Sequence, residues 1–435
     1  MNKKRRRRVK PWRIFILLVL IAGVVYVNQV IVPTTPPLFI PTPTATRSPE
    51  TYISEGESYL AEGKIGPAIQ AFEKAITSDP QNPSNYITTA RLQIYSGLYS
   101  EAATNAENAL LLNANNSMGH ALRGWAMGFN GDYLESLSAL DQAIELDPNN
   151  ASAYAYKAEI MIYQTQAGQG DLSTLDDAVD ASRTAEAMAP NSLESHRARG
   201  TVLEYTGNYE EAALEFAAAI AINPNISDLH LALGRNYRYL QQYDKAVEEF
   251  NRANALNPAD PMPDTNISRT YATVGEYAKA IQYALQAVKD APEDPYMHGN
   301  LGQMYYRNRE YPAAIDALGL AVQGGMTEDS VEVEGLPLDY GRIAEYYYTY
   351  GLSLARQGEC GEALQISQLL LQGVPNDETS IFNAEAIVEI CQEVATSPIA
   401  PQEPEATATP QADTMPEEDG MTEDDGMTDG DEPAN

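Results

Sequence analysis

Residues 207–225 read GNYEEAALEFAAAIAINPN, and this stretch decides how the chain folds. A Gly-Asn turn signal opens it, and a helical period follows. The small and apolar residues that share one helical face are Ala212, Phe216, Ala219 and Ile220. The helix is predicted to end at Asn223-Pro224, because proline lacks a backbone donor and disfavours the α conformation in the residue before it. Such a helix buries its small-residue face only against neighbouring helices.

The same pattern recurs at multiples of 34 residues, apart from one insertion of eight. The equivalent triplets are Phe72/Ala75/Pro80, Leu140/Ala143/Pro148, Phe216/Ala219/Pro224, Phe250/Ala253/Pro258 and Ala284/Ala287/Pro292. An upstream helix in each unit pairs a glycine with a large residue three positions on, as in Gly56/Tyr59, Gly200/Leu203, Gly234/Tyr237 and Gly302/Tyr305. Because glycine lets two helices approach closely while the large residue fills the next gap, the two helices of a unit are predicted to pack against each other.

This pattern resembles the tetratricopeptide repeat (TPR) family, whose 34-residue units are helix hairpins. Nine units fit between residues 50 and 375, and 379–394 predict a capping helix. The resemblance implies an all-α, right-handed superhelical solenoid of about nine hairpins over residues 50–395. Two insertions interrupt it, near 164–173 and 324–339. The first is predicted to form a longer turn between the helices of unit four, and the second to be functional or disordered.

The N-terminal residues predict attachment to a membrane. Residues 1–13 carry eight basic residues, and 14–32 form a mainly apolar run of about the length of a spanning helix. No small-residue cleavage site closely follows the run, which favours an uncleaved signal anchor over a cleaved signal peptide. The basic cluster then stays cytoplasmic and the repeats lie outside. The expectation is a single-pass membrane protein, and secretion after cleavage is the alternative.

Two further segments have compositions that predict no packed core. Residues 33–49 contain six prolines and five threonines, which predicts an extended stalk. Residues 396–435 contain twelve acidic residues and no basic ones, which predicts a disordered acidic tail.

The charge of the chain excludes some classes of partner. Its formal net charge is −33, and residues 50–395 carry 19 basic against 49 acidic residues. Binding to nucleic acid is disfavoured, because it depends on basic groups that meet phosphates. Only the N-terminal helix and its basic flank are expected to contact lipid.

The search for a catalytic or metal site finds no candidate, so a non-enzyme without cofactor is expected. All four histidines occupy one equivalent position of their units: His120, His196, His230 and His298. Equivalent helices lie at least about 8–10 Å apart, whereas zinc ligands lie about 2 Å from the metal. The histidines are therefore predicted to fill a packing position.

The two cysteines, Cys360 and Cys391, are predicted to lie side by side near the end of the array. A disulfide between them would fit an exported protein, and two buried free thiols are the alternative.

The family resemblance also implies a candidate binding surface. In that family the first helix of each hairpin lines a concave groove that binds partners. The corresponding positions in units five to nine hold Arg197, Tyr205, Arg235, Arg238, Tyr239, Arg269, Tyr296, Tyr306, Arg307, Tyr348 and Arg356. These residue types dominate binding hot spots, so the hypothesis is a groove for a peptide that carries carboxylates. The alternative is that the arginines pair with glutamates of the chain, namely Glu194, Glu204 and Glu345.

The same positions in units one to three are apolar. They hold Ile53, Leu60, Ile87, Ile94, Trp125 and Phe129, and predict a second, apolar half of the groove that grips the same partner or packs a neighbouring copy.

The predicted function is a membrane-anchored scaffold for protein–protein interaction or for the assembly of envelope complexes. A cell-surface spacer without a binding role is one alternative. An accessory subunit that recruits substrate for an enzyme complex is another.

Overall fold

Short turns connect an uninterrupted series of helices. The structure, a computed structural model, describes residues 11–31 and 47–396, and within these ranges it contains twenty α-helices and one two-stranded sheet. Helix α1 (Pro11–Tyr26) continues into a π-helical turn (Val27–Ile31). The nine hairpins that follow are α2 (Pro49–Ala61) with α3 (Ile65–Ser78), α4 (Pro83–Tyr95) with α5 (Tyr99–Leu112), α6 (Ser117–Phe129) with α7 (Tyr133–Leu146), α8 (Ala151–Gln166) with α9 (Leu172–Met188), α10 (Leu193–Tyr205) with α11 (Tyr209–Ile222), α12 (Ser227–Tyr239) with α13 (Tyr243–Leu256), α14 (Met262–Thr273) with α15 (Tyr277–Asp290), α16 (Pro295–Arg307) with α17 (Tyr311–Gln323), and α18 (Arg342–Gln357) with α19 (Cys360–Gly373).

Helix α20 (Glu378–Thr396) packs on both helices of the ninth hairpin. Each helix otherwise packs on its hairpin partner and on the next hairpin along the chain. The all-α repeat solenoid predicted from the sequence is therefore confirmed. Three predicted segments fall largely outside the described residues, namely the basic N terminus, the Pro/Thr stalk and the acidic tail.

The three-residue turns inside the hairpins explain why glycine recurs between the two helices of a unit. The residue that follows the first helix by two positions adopts a left-handed conformation, with φ of +76° at Gly97 and +80° at Gly207. Glycine takes this conformation without a steric cost. Units six and eight place Gln241 and Arg309 there instead, at φ of +61° and +65°.

The close approach of the two helices in a hairpin depends on glycine. A Cβ added to Gly234 would lie 2.6 Å from the Phe250 ring, and one added to Gly200 would lie 3.0 Å from Phe216. Both rings are almost fully buried, so they have no free volume to move into. The glycine–aromatic pair thus sets the helix separation in these units.

The first insertion differs from the predicted longer turn. Helices α8 and α9 have 16 and 17 residues, against 13 and 14 in α10 and α11. Only two of the eight inserted residues lengthen the turn, and three extend each helix. Asp171 accepts a hydrogen bond from the Thr174 N–H and caps α9, which fixes where the extended helix starts.

The second insertion is an ordered element. It contains strands β1 (Gly325–Met326) and β2 (Glu332–Val333), which pair antiparallel. The Tyr347 hydroxyl donates to the Leu336 carbonyl at 2.8 Å, and the Leu336 N–H donates to the Ala321 carbonyl at 2.9 Å. These bonds hold the insertion against the eighth and ninth hairpins.

A disulfide joins the ninth hairpin to α20. Cys360 opens α19 and bonds to Cys391 near the end of α20, with the two Cα atoms 5.5 Å apart. Ala384 and Ile387 of α20 are fully buried against the same hairpin. Helix α20 therefore covers the apolar end of the array, as a capping element does.

The N-terminal helix has the length and composition of a membrane span. Residues Pro11–Gln29 have a mean hydropathy of 1.9, and none of this segment is buried by the described protein. An apolar helix of this kind near the N terminus is either a membrane anchor or a signal sequence.

We predict that Gly234→Ala destabilises the sixth hairpin by about 1–3 kcal/mol, because the new methyl group overpacks against the buried Phe250 ring. Gly66→Ala is the matched control, since nothing lies within 4 Å of a Cβ at that helical position. Urea titrations followed by circular dichroism measure both. Equal midpoints for the two variants would show that the glycine does not set the helix separation.

We predict that Cys360→Ser exposes the end of the array, because α20 then loses its covalent tie at a 31-residue separation. Amide hydrogen exchange in α20 should rise by at least ten-fold, while exchange in α12 and α13 stays unchanged. Unchanged protection of α20 would contradict a stabilising role of the disulfide.

Candidate functional site

The first helices of the hairpins contact one another from α4 to α18, in addition to their hairpin partners. We call the surface that they line the inner face. Its two ends differ in chemistry: units two to four contribute a cluster of aromatic rings, and units six to nine contribute arginines.

The first end is an aromatic cluster, defined as Tyr95, Tyr99, Trp125, Phe129, Tyr156 and Tyr163. Trp125 stacks on Tyr156 with ring centroids 4.0 Å apart, and Tyr99 stacks on Phe129 at 4.5 Å. Phe129 also meets Tyr163 at 5.3 Å. The rings of successive units therefore pack on one another along the inner face and leave little of this surface to a partner.

An ion network lies inside the aromatic cluster. Arg197 Nε donates to Glu159 Oε1 at 2.9 Å, and Trp125 Nε1 donates to Glu159 Oε2 at 2.7 Å. The Arg197 guanidinium also pairs with Asp228 and lies 5.1 Å from the Trp125 ring centroid. Burial raises the pKa of Glu159, and Arg197 opposes that rise.

Arg197 was predicted to face a partner, and this prediction is wrong. It is 4% exposed, because the aromatic cluster covers it and two carboxylates hold it. Glu194, predicted as a partner of a groove arginine, instead accepts a hydrogen bond from the Tyr95 hydroxyl at 3.1 Å.

The solenoid curves until its first units meet its fifth and sixth. Tyr95 and Glu194 join residues 99 positions apart, and a Cβ on Gly63 would lie 2.5 Å from Asn225 Oδ1. Trp125 and Ile94 are consequently buried. The prediction of an accessible apolar half of the groove is therefore wrong for these two residues. The other four predicted residues, Ile53, Leu60, Ile87 and Phe129, are half-buried, and a binding role for them stays a prediction.

A cavity of about 420 Å³ lies where the aromatic cluster ends. Arg235 forms two hydrogen bonds with Glu204 across it, at 2.8 and 3.0 Å, as the alternative prediction of internal pairing requires. Tyr205 and Tyr239 are 37% and 52% exposed at its rim. Tyr239 stacks on Tyr209 at 4.4 Å, which fixes the orientation of its ring.

The second end of the inner face holds an arginine cluster, defined as Arg238, Arg269 and Arg342. None of the three forms an ion pair with a carboxylate of residues 11–31 or 47–396. Arg238 lies 5.7 Å from the Tyr239 ring centroid, and Arg269 Nε donates to Asn300 Oδ1 at 3.1 Å. Both are half-buried, whereas Arg342 is exposed at the start of α18.

The pKa values of Arg269 and Arg238 are both lowered, as expected for guanidinium groups that lack a nearby carboxylate. Burial, followed by the charges of Arg342 and Arg238, lowers the pKa of Arg269 to about 10. Burial also lowers the pKa of Arg238, with Arg235 and Arg342 adding to the effect. A nearby carboxylate would have the opposite effect, so the cluster has unused capacity to bind an anion.

The remaining predicted groove residues lie on α16 and α18. Tyr296 is 39% exposed, and its carbonyl accepts a hydrogen bond from the Tyr346 hydroxyl at 3.3 Å. Burial raises the pKa of Tyr348 to about 12. The others are the half-buried Tyr306 and the exposed Arg307 and Arg356. Arg307 Nη2 lies 3.9 Å from Glu345 Oε1, so the predicted internal ion pair is present but long.

Sequence reasoning missed Arg342, Asn300 and Tyr346. Arg342 precedes the first repeat position of unit nine, and the second insertion obscures the register there. Asn300 and Tyr346 are buried beside positions that were assigned to the groove. Their hydrogen bonds hold Arg269 and the Tyr296 backbone, which no repeat pattern predicts.

The histidines have the structural role that their period predicted. The Nε2 atoms of His120, His230 and His298 lie 2.8–2.9 Å from the backbone carbonyl six residues earlier, in the turn before the helix. His196 and His230 also bond through Nδ1 to Glu215 and Glu249, at 2.6 Å. Within the described residues, no group of three His, Cys, Asp or Glu side chains is arranged to hold a metal ion.

Family models of the tetratricopeptide repeat match residues 49–82, 169–225, 227–260 and 265–329. A crystal structure of a tetratricopeptide repeat protein from Parabacteroides merdae ATCC 43184 is 15% identical, with a TM-score of 0.38, and the match covers 59% of this chain and 98% of that chain. A structure from the functional characterization of Pseudomonas aeruginosa pilF is 18% identical, with a TM-score of 0.38, over 47% of this chain and 89% of that one. No curated protein matches the chain.

We predict that Arg197→Met lowers the free energy of unfolding by about 3–5 kcal/mol, because it leaves Glu159 and Asp228 without their cation. Adding Glu159→Gln should recover part of the loss, since it removes one buried charge. Arg252→Met is the control, because Arg252 is half-exposed on an outer helix and its ion pairs contribute at most about 1 kcal/mol. Equal losses for Arg197→Met and Arg252→Met in urea unfolding would contradict the buried network.

Proposed function

Because the chain is built of tetratricopeptide repeats, which are scaffolds for protein–protein interaction, we propose that its arginine cluster binds a carboxylate-bearing segment of another protein. One observation supports this most directly. Arg238 and Arg269 hold guanidinium groups on the inner face without a carboxylate partner among the described residues, in a domain where acidic residues outnumber basic ones.

The charge of the surroundings gives the site selectivity. Residues 50–395 carry 49 acidic side chains, so an acidic partner is repelled from most of the surface. It is attracted only where guanidinium groups are concentrated, and this contrast fixes where and in which register it docks. Arginine suits this task because its planar fork matches the two oxygens of a carboxylate.

The exposed tyrosines add apolar contact area beside the cluster. Tyr205, Tyr239 and Tyr296 are each more than a third exposed. Tyrosine rings lose little conformational entropy on binding, and Tyr239 is already oriented by Tyr209. A partner segment that carries carboxylates with adjacent apolar residues fits this combination.

The site belongs, in this proposal, to a membrane-anchored scaffold. Helix α1 is the anchor, the basic residues before it stay in the cytoplasm, and the repeats act on the outer side of the membrane. The Cys360–Cys391 disulfide supports this side, because disulfides persist in oxidising compartments. The scaffold then recruits or assembles proteins of the cell envelope.

We predict that Arg238→Gln combined with Arg269→Gln weakens partner binding by at least ten-fold, because each charged contact contributes about 1.5–3 kcal/mol. The full-length protein is purified from membranes in mild detergent, and the co-purified proteins are quantified by mass spectrometry. Binding should also fall at higher salt, which screens exposed charges.

The control is Arg252→Gln, which removes an arginine from an outer helix without touching the cluster. Circular dichroism checks that every variant stays folded. A stoichiometric partner retained by the double variant would refute the arginine site. A wild-type protein that retains no partner at low salt would support a mechanical spacer instead.

A further inference from the structure

The chain contains its own acidic segment close to the end of the repeats. Residues 417–432 read EEDGMTEDDGMTDGDE, with nine acidic residues and no basic ones. This segment lies outside the described residues, and it follows α20 in the sequence. Its composition has the property that the arginine cluster selects for, namely a high local density of carboxylates.

The geometry of α20 places the start of this tail one helix length from Arg342 of the cluster. The Cys360–Cys391 bond fixes the end of α20 beside the turn between α18 and α19. A Cβ on Gly358 in this turn would lie 4.0 Å from Val394, which confirms the position. Arg342 begins α18, so one helix of 16 residues, about 24 Å, separates the cluster from the origin of the tail.

The tail is long enough to cover this distance. From Thr396 to residue 417 there are 21 residues, whose maximal extension is about 70 Å at 3.3–3.6 Å per residue. The segment 417–432 therefore reaches the arginine cluster without any rearrangement of α18 or α20.

We propose that residues 417–432 bind the arginine cluster of the same chain and compete there with the partner. The inference rests on the proposed function, because it assigns a second, internal ligand to the same site. Partner binding then requires displacement of the tail, so a partner of high carboxylate density is accepted and weaker acidic ligands are rejected.

Two arguments favour this site over other positions on the described surface. Among the other arginines of the inner face, Arg235 pairs with Glu204 and Arg307 approaches Glu345. The exposed Arg356 at the end of α18 is a competing position, which substitutions of Arg238 and Arg269 leave unchanged. Attachment to the same chain also raises the effective concentration of the tail to the millimolar range for a short linker, so a weak contact is sufficient to populate the bound state.

The basic residues near the N terminus are a competing binding site for the acidic tail. Residues 1–13 carry eight Lys and Arg side chains, but a membrane-spanning α1 places them on the opposite side of the bilayer from the tail. Substitutions in the arginine cluster distinguish the two sites, because they leave residues 1–13 unchanged.

The test uses a fluorescent synthetic peptide of residues 413–432 as the probe and measures its anisotropy with the full-length protein in detergent. Two proteins are compared: the wild type and a neutralised-tail variant. The neutralised tail carries E417Q, E418Q, D419N, E423Q, D424N, D425N, D429N, D431N and E432Q. It should bind the probe at least ten-fold more tightly than the wild type, because no internal ligand competes.

Adding Arg238→Gln and Arg269→Gln to the neutralised-tail variant should reduce probe binding by at least ten-fold, while adding Arg252→Gln should not. If the wild type and the neutralised-tail variant bind equally in an arginine-dependent manner, the tail does not occupy the site, and the proposed function stands. If no protein shows arginine-dependent binding, the proposed function fails as well. Inhibition that disappears on dilution would assign the tail to a second copy and overturn the intramolecular contact.

Discussion

The structure depends on one packing constraint: a hairpin of this type cannot bury its small-residue face alone. Ala212, Ala219 and their equivalents become fully buried only when the next hairpin covers them. Glycines such as Gly234 bring the helices of a hairpin together, and the array continues until α20 covers its last apolar face. Stability is therefore distributed along the array, and the inner face is a consequence of stacking.

Curvature then divides the inner face into two chemically different ends. Where the first units meet the fifth and sixth, Trp125, Tyr156 and Arg197 pack on one another, and the hydrophobic core of the hairpins extends to this end of the inner face. Further along the chain the first helices keep Arg238, Arg269 and Arg342 without carboxylate partners in the described structure. The arginine at the aromatic end is paired with acidic residues of the chain itself. The arginine cluster has no such pairs in the described structure, so its carboxylate partners must come from outside it. This contrast is the physical basis of the proposed function.

The sequence predicted the hairpins well, because a 34-residue period in small, large and proline residues directly reflects helix contacts. It predicted the inner face less well. Repeat positions assign Arg197, Arg235 and Arg269 to the groove, and place Arg235 and Arg269 at the same position of successive units. Yet Arg197 is buried, Arg235 is paired and Arg269 has no carboxylate partner among the described residues. The environments of these arginines differ because the array curves and brings distant residues together. Tyr95 and Glu194, for example, are 99 residues apart, and a pattern of 34 residues cannot predict their contact. The inserted residues around Gln166 were likewise predicted as a turn, although three residues extend each helix and the Asp171 cap fixes where the second helix starts.

The division of the inner face is tested most directly by arginine footprinting with a dicarbonyl reagent and mass spectrometry on the full-length protein. In about 1 M salt, where ionic contacts of the tail are screened, the account predicts fast modification of Arg342 and Arg238. Arg197 should stay unmodified until the protein is unfolded, because the aromatic cluster covers it. Modification of Arg197 at the rate of Arg342 would show that the inner face is open along its whole length, and would contradict the account.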